Sequence, residues 1–186
     1  AGDELAWVRP TSGSDDIILV TAEGQAIRFA EHDVRPMGRQ AGGVIGIRLD
    51  DGDFVVAAEV VRPGADLLLV SRAGYGKRTA LDEFRTQGRG GSGVIAMRVT
   101  PRTGHVAAAT VAREEDTAVL VSRRGRLILI PVRQIPKQGR STQGVSLMRL
   151  QEGDEIASIA VGLLSETLST DGVETKASHG NGFEQA

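Results

Sequence analysis

Short apolar runs separated by glycine-marked turns recur along this chain with a period of about fifty residues. The clearest copy lies between Asp66 and Val111, with runs at Leu67 to Ser71, Tyr75 to Thr79, Val94 to Val99 and Val106 to Val111. Fifty residues earlier, Leu19-Val20-Thr21-Ala22-Glu23-Gly24 stands where Leu69-Val70-Ser71-Arg72-Ala73-Gly74 stands. Fifty-one residues later, Gly125, Gly139-Arg140 and Gly144-Val145 match Gly74, Gly88-Arg89 and Gly93-Val94. Arg48, Arg98 and Arg149 share one further position. Runs of this length bounded by turn residues read as strands. Ile17 to Val20 is continuously apolar, as expected of a strand covered on both faces. The pattern predicts three four-stranded units and an all-β, propeller-like fold. Asp33-Val34, Glu83-Phe84 and Gln134-Ile135 correspond, which predicts a short helical turn anchored by one apolar side chain in each repeat. Leu5 to Val8 reads as the last strand of a preceding unit, paired beside the first repeat. The predicted division is residues 1–15 for that strand, then blades at 16–61, 62–111 and 112–162. Residues 163–186 lose the pattern and read as a disordered acidic tail. Three blades are fewer than a closed propeller uses, so the chain is expected to belong to a larger ring or to present open edges to a partner.

Composition narrows the chemistry. Aromatic residues make up only 3% of the chain, so Val, Ile, Leu and Ala must build the core. There is no cysteine, which excludes thiolate catalysis, disulfides and zinc–cysteine sites. No apolar run approaches the ~20 residues of a membrane helix, and no signal-peptide pattern opens the chain. The first residue is Ala1, which suggests a cut or processed start. The net charge of −2 hides a gradient: residues 1–61 carry −6, residues 62–162 carry +7 and residues 163–186 carry −3. An anionic partner for the middle block is expected, with the tail competing for it.

Several motifs are better read as structure. Gly88-Arg89-Gly90-Gly91-Ser92-Gly93 fits G-x-G-x-x-G, but a strand follows it where a dinucleotide site needs a helix. His32, His105 and His179 have neither metal-ligand spacing nor a nucleophile beside them, and Asp50-Asp51-Gly52-Asp53 reads as a turn. No cofactor, metal or catalytic residue is expected. The long loops are the remaining candidates. Each repeat carries Gly-Arg followed three or four residues later by Gly-Val. Arg39, Arg89 and Arg140 in these loops, with Lys77, Arg78, Arg124 and Arg126 from neighbouring hairpins, would suit phosphates arrayed along a duplex. Arg48, Arg98 and Arg149 lie within expected strands and rank lower.

At these residues the chain resembles a known family. Gln87-Gly88-Arg89-Gly90-Gly91-Ser92-Gly93 is similar to the box Q-[RK]-R-G-G-[RK]-G of the C-terminal domain of the DNA gyrase A subunit, with Gly88 and Ser92 in place of two basic residues. Gly74 to Thr79, Val34 to Arg39 and Gly139 to Val145 resemble stretches of later blades of that domain. The resemblance covers residues 5–162 and implies a β-pinwheel, in which blades exchange a strand with their neighbours and the rim wraps DNA. It implies the last three of about six blades, with Gln87 to Gly93 as a degenerate counterpart of an upstream box. It further implies a non-catalytic, sequence-independent module of a bacterial cytoplasmic, nucleoid-associated topoisomerase that introduces negative supercoils. Its partners would be double-stranded DNA, the gyrase B subunit, and the remaining domains of the gyrase A subunit, with no membrane. A topoisomerase IV C-terminal domain and a propeller-type protein-interaction scaffold are the alternatives. Tyr75, the single tyrosine, is expected to lack the company that a DNA-cleaving nucleophile needs.

Overall fold

The structure, a computed structural model, describes residues 4–163. In chain order its strands are β1 (Asp16–Thr21), β2 (Gln25–Ala30), β3 (Val55–Val60), β4 (Asp66–Ser71), β5 (Tyr75–Ala80) and β6 (Val94–Ile95). They continue with β7 (Val106–Ala112), β8 (Thr117–Ser122), β9 (Leu127–Pro131), β10 (Val145–Ser146) and β11 (Ile156–Gly162). The fold is all-β and antiparallel, with no closed ring.

Each repeat begins with a hairpin that the sequence specifies locally. Gly24, Gly74 and Gly125 all take φ of +81°, which a side chain resists. Each donates its N–H to the carbonyl three residues back, on Thr21, Ser71 or Ser122. The hydroxyls of those same residues accept the N–H of Gln25, Tyr75 and Arg126. The inner strand then returns along the first, with a register shift at Val20/Thr21, Val70/Ser71 and Ile156/Ser158.

The fourth strand of each sheet comes from the next repeat. The sheet orders are β3-β1-β2-β6 and β10-β5-β4-β7, while the last sheet is β11-β8-β9. Val94 and Ile95 pair with Ala26 and Gln25, and Val145 and Ser146 pair with Gly76 and Tyr75. Strand exchange between neighbours is therefore present. The expectation of three complete four-stranded units is corrected to two four-stranded sheets and one three-stranded sheet among the described residues. Val44 to Leu49, the matching run of repeat one and likewise expected as a strand, forms none, and no hairpin of an earlier repeat stands beside it among the described residues. The exchanged strands are also shorter than the apolar runs. The N–H groups of Ala96 and Met97 both turn onto Gly24 O, at 2.7 and 3.1 Å, which ends the ladder. Leu5 to Val8 is not a strand either, and Leu5 and Val8 are exposed. Arg9 instead ties this segment to the innermost strand of repeat one through Glu59, at 2.9 Å. The tail, from residue 164 on, lies outside the described residues.

Strand β4 shows how two cores share one element. Leu67 and Leu69 point into a cluster with Ile18, Val20, Phe84 and Met97. Leu68 and Val70 point the other way, to Leu120, Val132, Ile135 and Met148. Alternation along one strand thus glues repeat two to both neighbours. The expected helical turns are 3-10 turns at Glu31–Asp33, Leu81–Glu83 and Val132–Gln134. Phe84 and Ile135, just after two of them, are buried, each worth roughly 1.5–3 kcal/mol of transfer free energy.

Candidate nucleic-acid interface

Two basic residues expected at the surface lie inside the fold. Lys77 is 0% exposed, and its Nζ donates to Gly139 O and Arg140 O, both at 2.6 Å. Burial lowers its pKa to about 8, against an opposing pull from Glu83, with Arg140 adding to the lowering. Arg78 is 7% exposed and reaches Ile135 O, Asp66 and Glu114. Burial lowers the Arg78 pKa, but the hydrogen bonds it donates to Glu114 and Asp66, with the attraction of their charges, outweigh it and raise the pKa overall. Neither side chain offers its charge to a ligand in this arrangement. Arg28 is the counterpart of Arg78 one repeat earlier: it pairs with Asp16 at 2.7 Å and donates to Leu81 O and Phe84 O. Both arginines bind a repeat to the 3-10 turn of the next.

The Gly-Arg loops also have an inward duty. Arg89 is half-buried and donates from Nε to Asp33 O and from Nη1 to Ile45 O, at 2.9 and 3.1 Å. Arg140 repeats the second contact onto Ile95 O at 3.2 Å, and its backbone N–H meets Glu83. A guanidinium has five N–H donors, so each keeps donors to spare on the surface. Arg39 is exposed, with no preceding repeat among the described residues to clasp. Arg124 and Arg126 are exposed, and Arg126 donates to Arg149 O at 2.7 Å. In the box-like loop, Gln87 N–H bonds Arg28 O and Gly90 N–H bonds Gly46 O, so Gln87 to Gly93 closes over repeat one.

Three residues ranked lower from the sequence also face solvent. Arg48, Arg98 and Arg149 are all exposed, and none has an ion pair among the described residues. Arg48 lines a shallow hollow with Arg89 and Gly90, and its N–H bonds Gly91 O. Arg98 N–H bonds Thr142 O in the loop that carries Arg140. Arg149 sits against Arg126. Arg48 thus lies beside the loop of Arg89 and Arg98 beside the loop of Arg140, at two successive repeat junctions, while Arg149 and Arg126 meet within repeat three. The signal was present as a shared repeat position. What hid it was the expectation of a full strand there.

Tyr75 does have an arginine beside it. Arg102 Nε donates to the Tyr75 hydroxyl at 2.7 Å, and the guanidinium stands 5.1 Å from the ring centroid. This is a cation–π contact, and no cluster of three or more metal-ligating side chains occurs among the described residues. No helix of the described residues is long and apolar enough to cross a membrane.

An antiparallel, strand-exchanged, propeller-like array of repeats is the β-pinwheel class of repeat protein. Within that class, the family described as DNA gyrase C-terminal domain, beta-propeller, matches residues 15–62, 65–113 and 116–162. The chain belongs to this family. It is similar to the DNA gyrase A subunit of Aminobacterium colombiense, 46% identical over 160 residues, covering 86% of this chain and 20% of that protein. It is 40% identical to the DNA gyrase A subunit of Mycolicibacterium smegmatis over 161 residues, covering 86% of this chain and 19% of that protein. The chain thus spans about a fifth of the length of these relatives. Among solved structures, the C-terminal domain of DNA topoisomerase IV superposes with a TM-score of 0.76 at 26% identity, over 80% of this chain and 47% of that one. A DNA gyrase A C-terminal domain superposes with a TM-score of 0.74 at 29% identity, over 78% and 50%.

Proposed function

We propose that this chain is a non-catalytic module that binds and bends duplex DNA for a gyrase, through phosphate contacts that ignore sequence. The observation that carries the reading is the set of exposed arginines repeated along the chain: Arg48 beside Arg89 and Arg98 beside Arg140 at two successive junctions, and Arg149 beside Arg126 in repeat three. Phosphates in a duplex repeat along a backbone, and a repeat protein that presents one basic pair per unit meets them at several points. Planar guanidinium groups suit phosphate oxygens. Arg39 and Arg124 extend the series at its ends. Lys77 and Arg78 act indirectly, by fixing the loop that presents Arg140 and the turn beneath it. The gyrase A relatives favour gyrase over topoisomerase IV as the parent enzyme. The module would then act in the bacterial cytoplasm beside the other gyrase A domains and the gyrase B subunit, which would supply strand cleavage and ATP hydrolysis.

Titration of random-sequence duplexes at several salt concentrations tests this. Six phosphate contacts give a slope of log affinity against log salt of about −5. Replacing Arg48, Arg98 and Arg149 together by Ala should flatten that slope by about three and weaken all sequences alike. Salt-independent binding, or no binding at low salt, would overturn the DNA reading and leave a protein-interaction scaffold.

A further inference from the structure

The loops that cross the two repeat junctions differ in one turn. Gly88-Arg89-Gly90-Gly91 at the first junction and Gly139-Arg140-Ser141-Thr142 at the second stand at matching positions, each turning on its middle two residues. Gly90 takes φ of +78°, and its N–H is spent on Gly46 O at 2.6 Å. Ser141 is not left-handed, and its N–H donates to nothing among the described residues. A turn with a left-handed third residue and a turn without one differ by a flip of the central peptide. The Arg140–Ser141 peptide therefore faces the opposite way from the Arg89–Gly90 peptide.

Lys77 accounts for the flip. Its Nζ lies under the turn and donates to Gly139 O and Arg140 O, whereas Ile27, at the matching place in repeat one, has no donor to offer. In a trans peptide the C=O and the N–H point to opposite sides. With Arg140 O drawn inward onto the amine, the N–H of the exposed Ser141 points outward. Thr142 Oγ1 closes the turn onto Gly139 O at 2.9 Å. Burying an amine costs free energy that isoleucine at this place does not. The charged groups that bear on Lys77 are Glu83, which accepts the Arg140 N–H at 3.2 Å, and Arg140 itself. β4 sets the apolar Leu69 opposite it. A pKa of about 8 leaves the amine a cation at pH 7.

We infer that Lys77 is a positioning residue that turns the Arg140–Ser141 peptide outward, and that the Ser141 N–H and the spare donors of the Arg140 guanidinium form a site for one phosphate group. A main-chain N–H and a guanidinium set over a buried cation suit a phosphate oxygen. Arg140 spends one donor on Ile95 O and keeps the others. The first junction lacks this site, because the matching amide is already bonded to Gly46 O. The inference rests on the DNA reading for the source of the phosphate, a duplex backbone; an inorganic phosphate presents the same chemistry.

The test is amide NMR on the nitrogen-15-labelled 186-residue chain, titrated separately with inorganic phosphate and with a random-sequence duplex at fixed ionic strength. The Ser141 amide should shift with both ligands. Before either is added, it should exchange with solvent while the Gly90 amide is protected. Lys77→Ile combined with Ser141→Gly gives the second loop the residues that the first has at Ile27 and Gly90, so the fold should survive. In that variant the amide at position 141 should gain protection, the reverse of what simple destabilisation does. Its dissociation constants for phosphate and for duplex should rise by about fivefold or more. A variant that binds both ligands as tightly as the parent overturns the inference, and so does a protected Ser141 amide in the parent. Duplex binding that leaves the Ser141 amide unmoved also overturns it, while the DNA reading stands. A Ser141 shift with phosphate but no duplex binding does the opposite: the site stands and the DNA reading falls.

Discussion

Lys77 stands where the other two repeats have Ile27 and Ile128. Two carbonyls at 2.6 Å give its amine a reason to be buried, and a neutral amine still has two N–H donors for them. Its pKa is lowered from 10.5 to about 8, so the unfolded chain holds the proton more tightly between those values. Stability contributed at this site therefore rises as pH rises from 8 towards 10.5. Denaturant midpoints across that window should rise for the parent relative to Lys77→Met, which lacks the titrating group. A flat difference would show that the amine is not buried as described. Arg78 is a second residue-scale test. Replacing it by Met leaves Asp66 buried with Lys137, 2.8 Å away, as its one remaining cation among the described residues. Loss of about 3 kcal/mol is expected, at the low end for a broken buried pair because Lys137 stays. Equilibrium unfolding measures it.

Between elements, backbone proximity rather than side-chain burial decides the exchange of strands. Gly74 and Gly125 share φ of +81°, but only Gly74 has an exchanged strand against it. Gly74→Ala and Gly125→Ala carry the same conformational cost of left-handed backbone, and the difference between them isolates the close approach. Gly74→Ala should be the more destabilising by at least ~1 kcal/mol. Equal costs would mean that the exchanged strand yields freely. The short exchanged strands β6 and β10 have few ladder bonds. Each is held also by a pair of N–H groups on one hairpin carbonyl, and the loops leading into them by Arg89 on Ile45 O and Arg140 on Ile95 O.

For the whole molecule the relevant quantity is the energy of bending. Curving a duplex by tens of degrees costs on the order of 1–6 kcal/mol. Three arginine pairs offer few contacts against that cost. Relaxing a nicked circle with the chain bound, then ligating it, should give a small linking-number shift, despite measurable binding to linear DNA at low salt. A large shift from the single copy would show that three repeats bend DNA unaided.

The sequence by itself determined the repeats, the hairpins and the cores. Thr21, Ser71 and Ser122 ahead of Gly24, Gly74 and Gly125 fix the turns through bonds spanning three or four residues, and alternation in Leu67 to Val70 fixes two buried faces. Such signals are local, so they survive in a single chain. Only the tertiary structure decided which repeat each exchanged strand serves, since Val44, Val94 and Val145 look alike and their partners lie in a neighbouring repeat. It also decided which basic residues face water. Lys77 and Arg78 look like surface charge until the next repeat closes over them, and Arg98 and Arg149 look like strand interior until the ladder ends two residues in, while Arg48 stands in a segment that forms no strand. A charge carries no mark of its own burial, because burial depends on what packs against it from some sixty residues away.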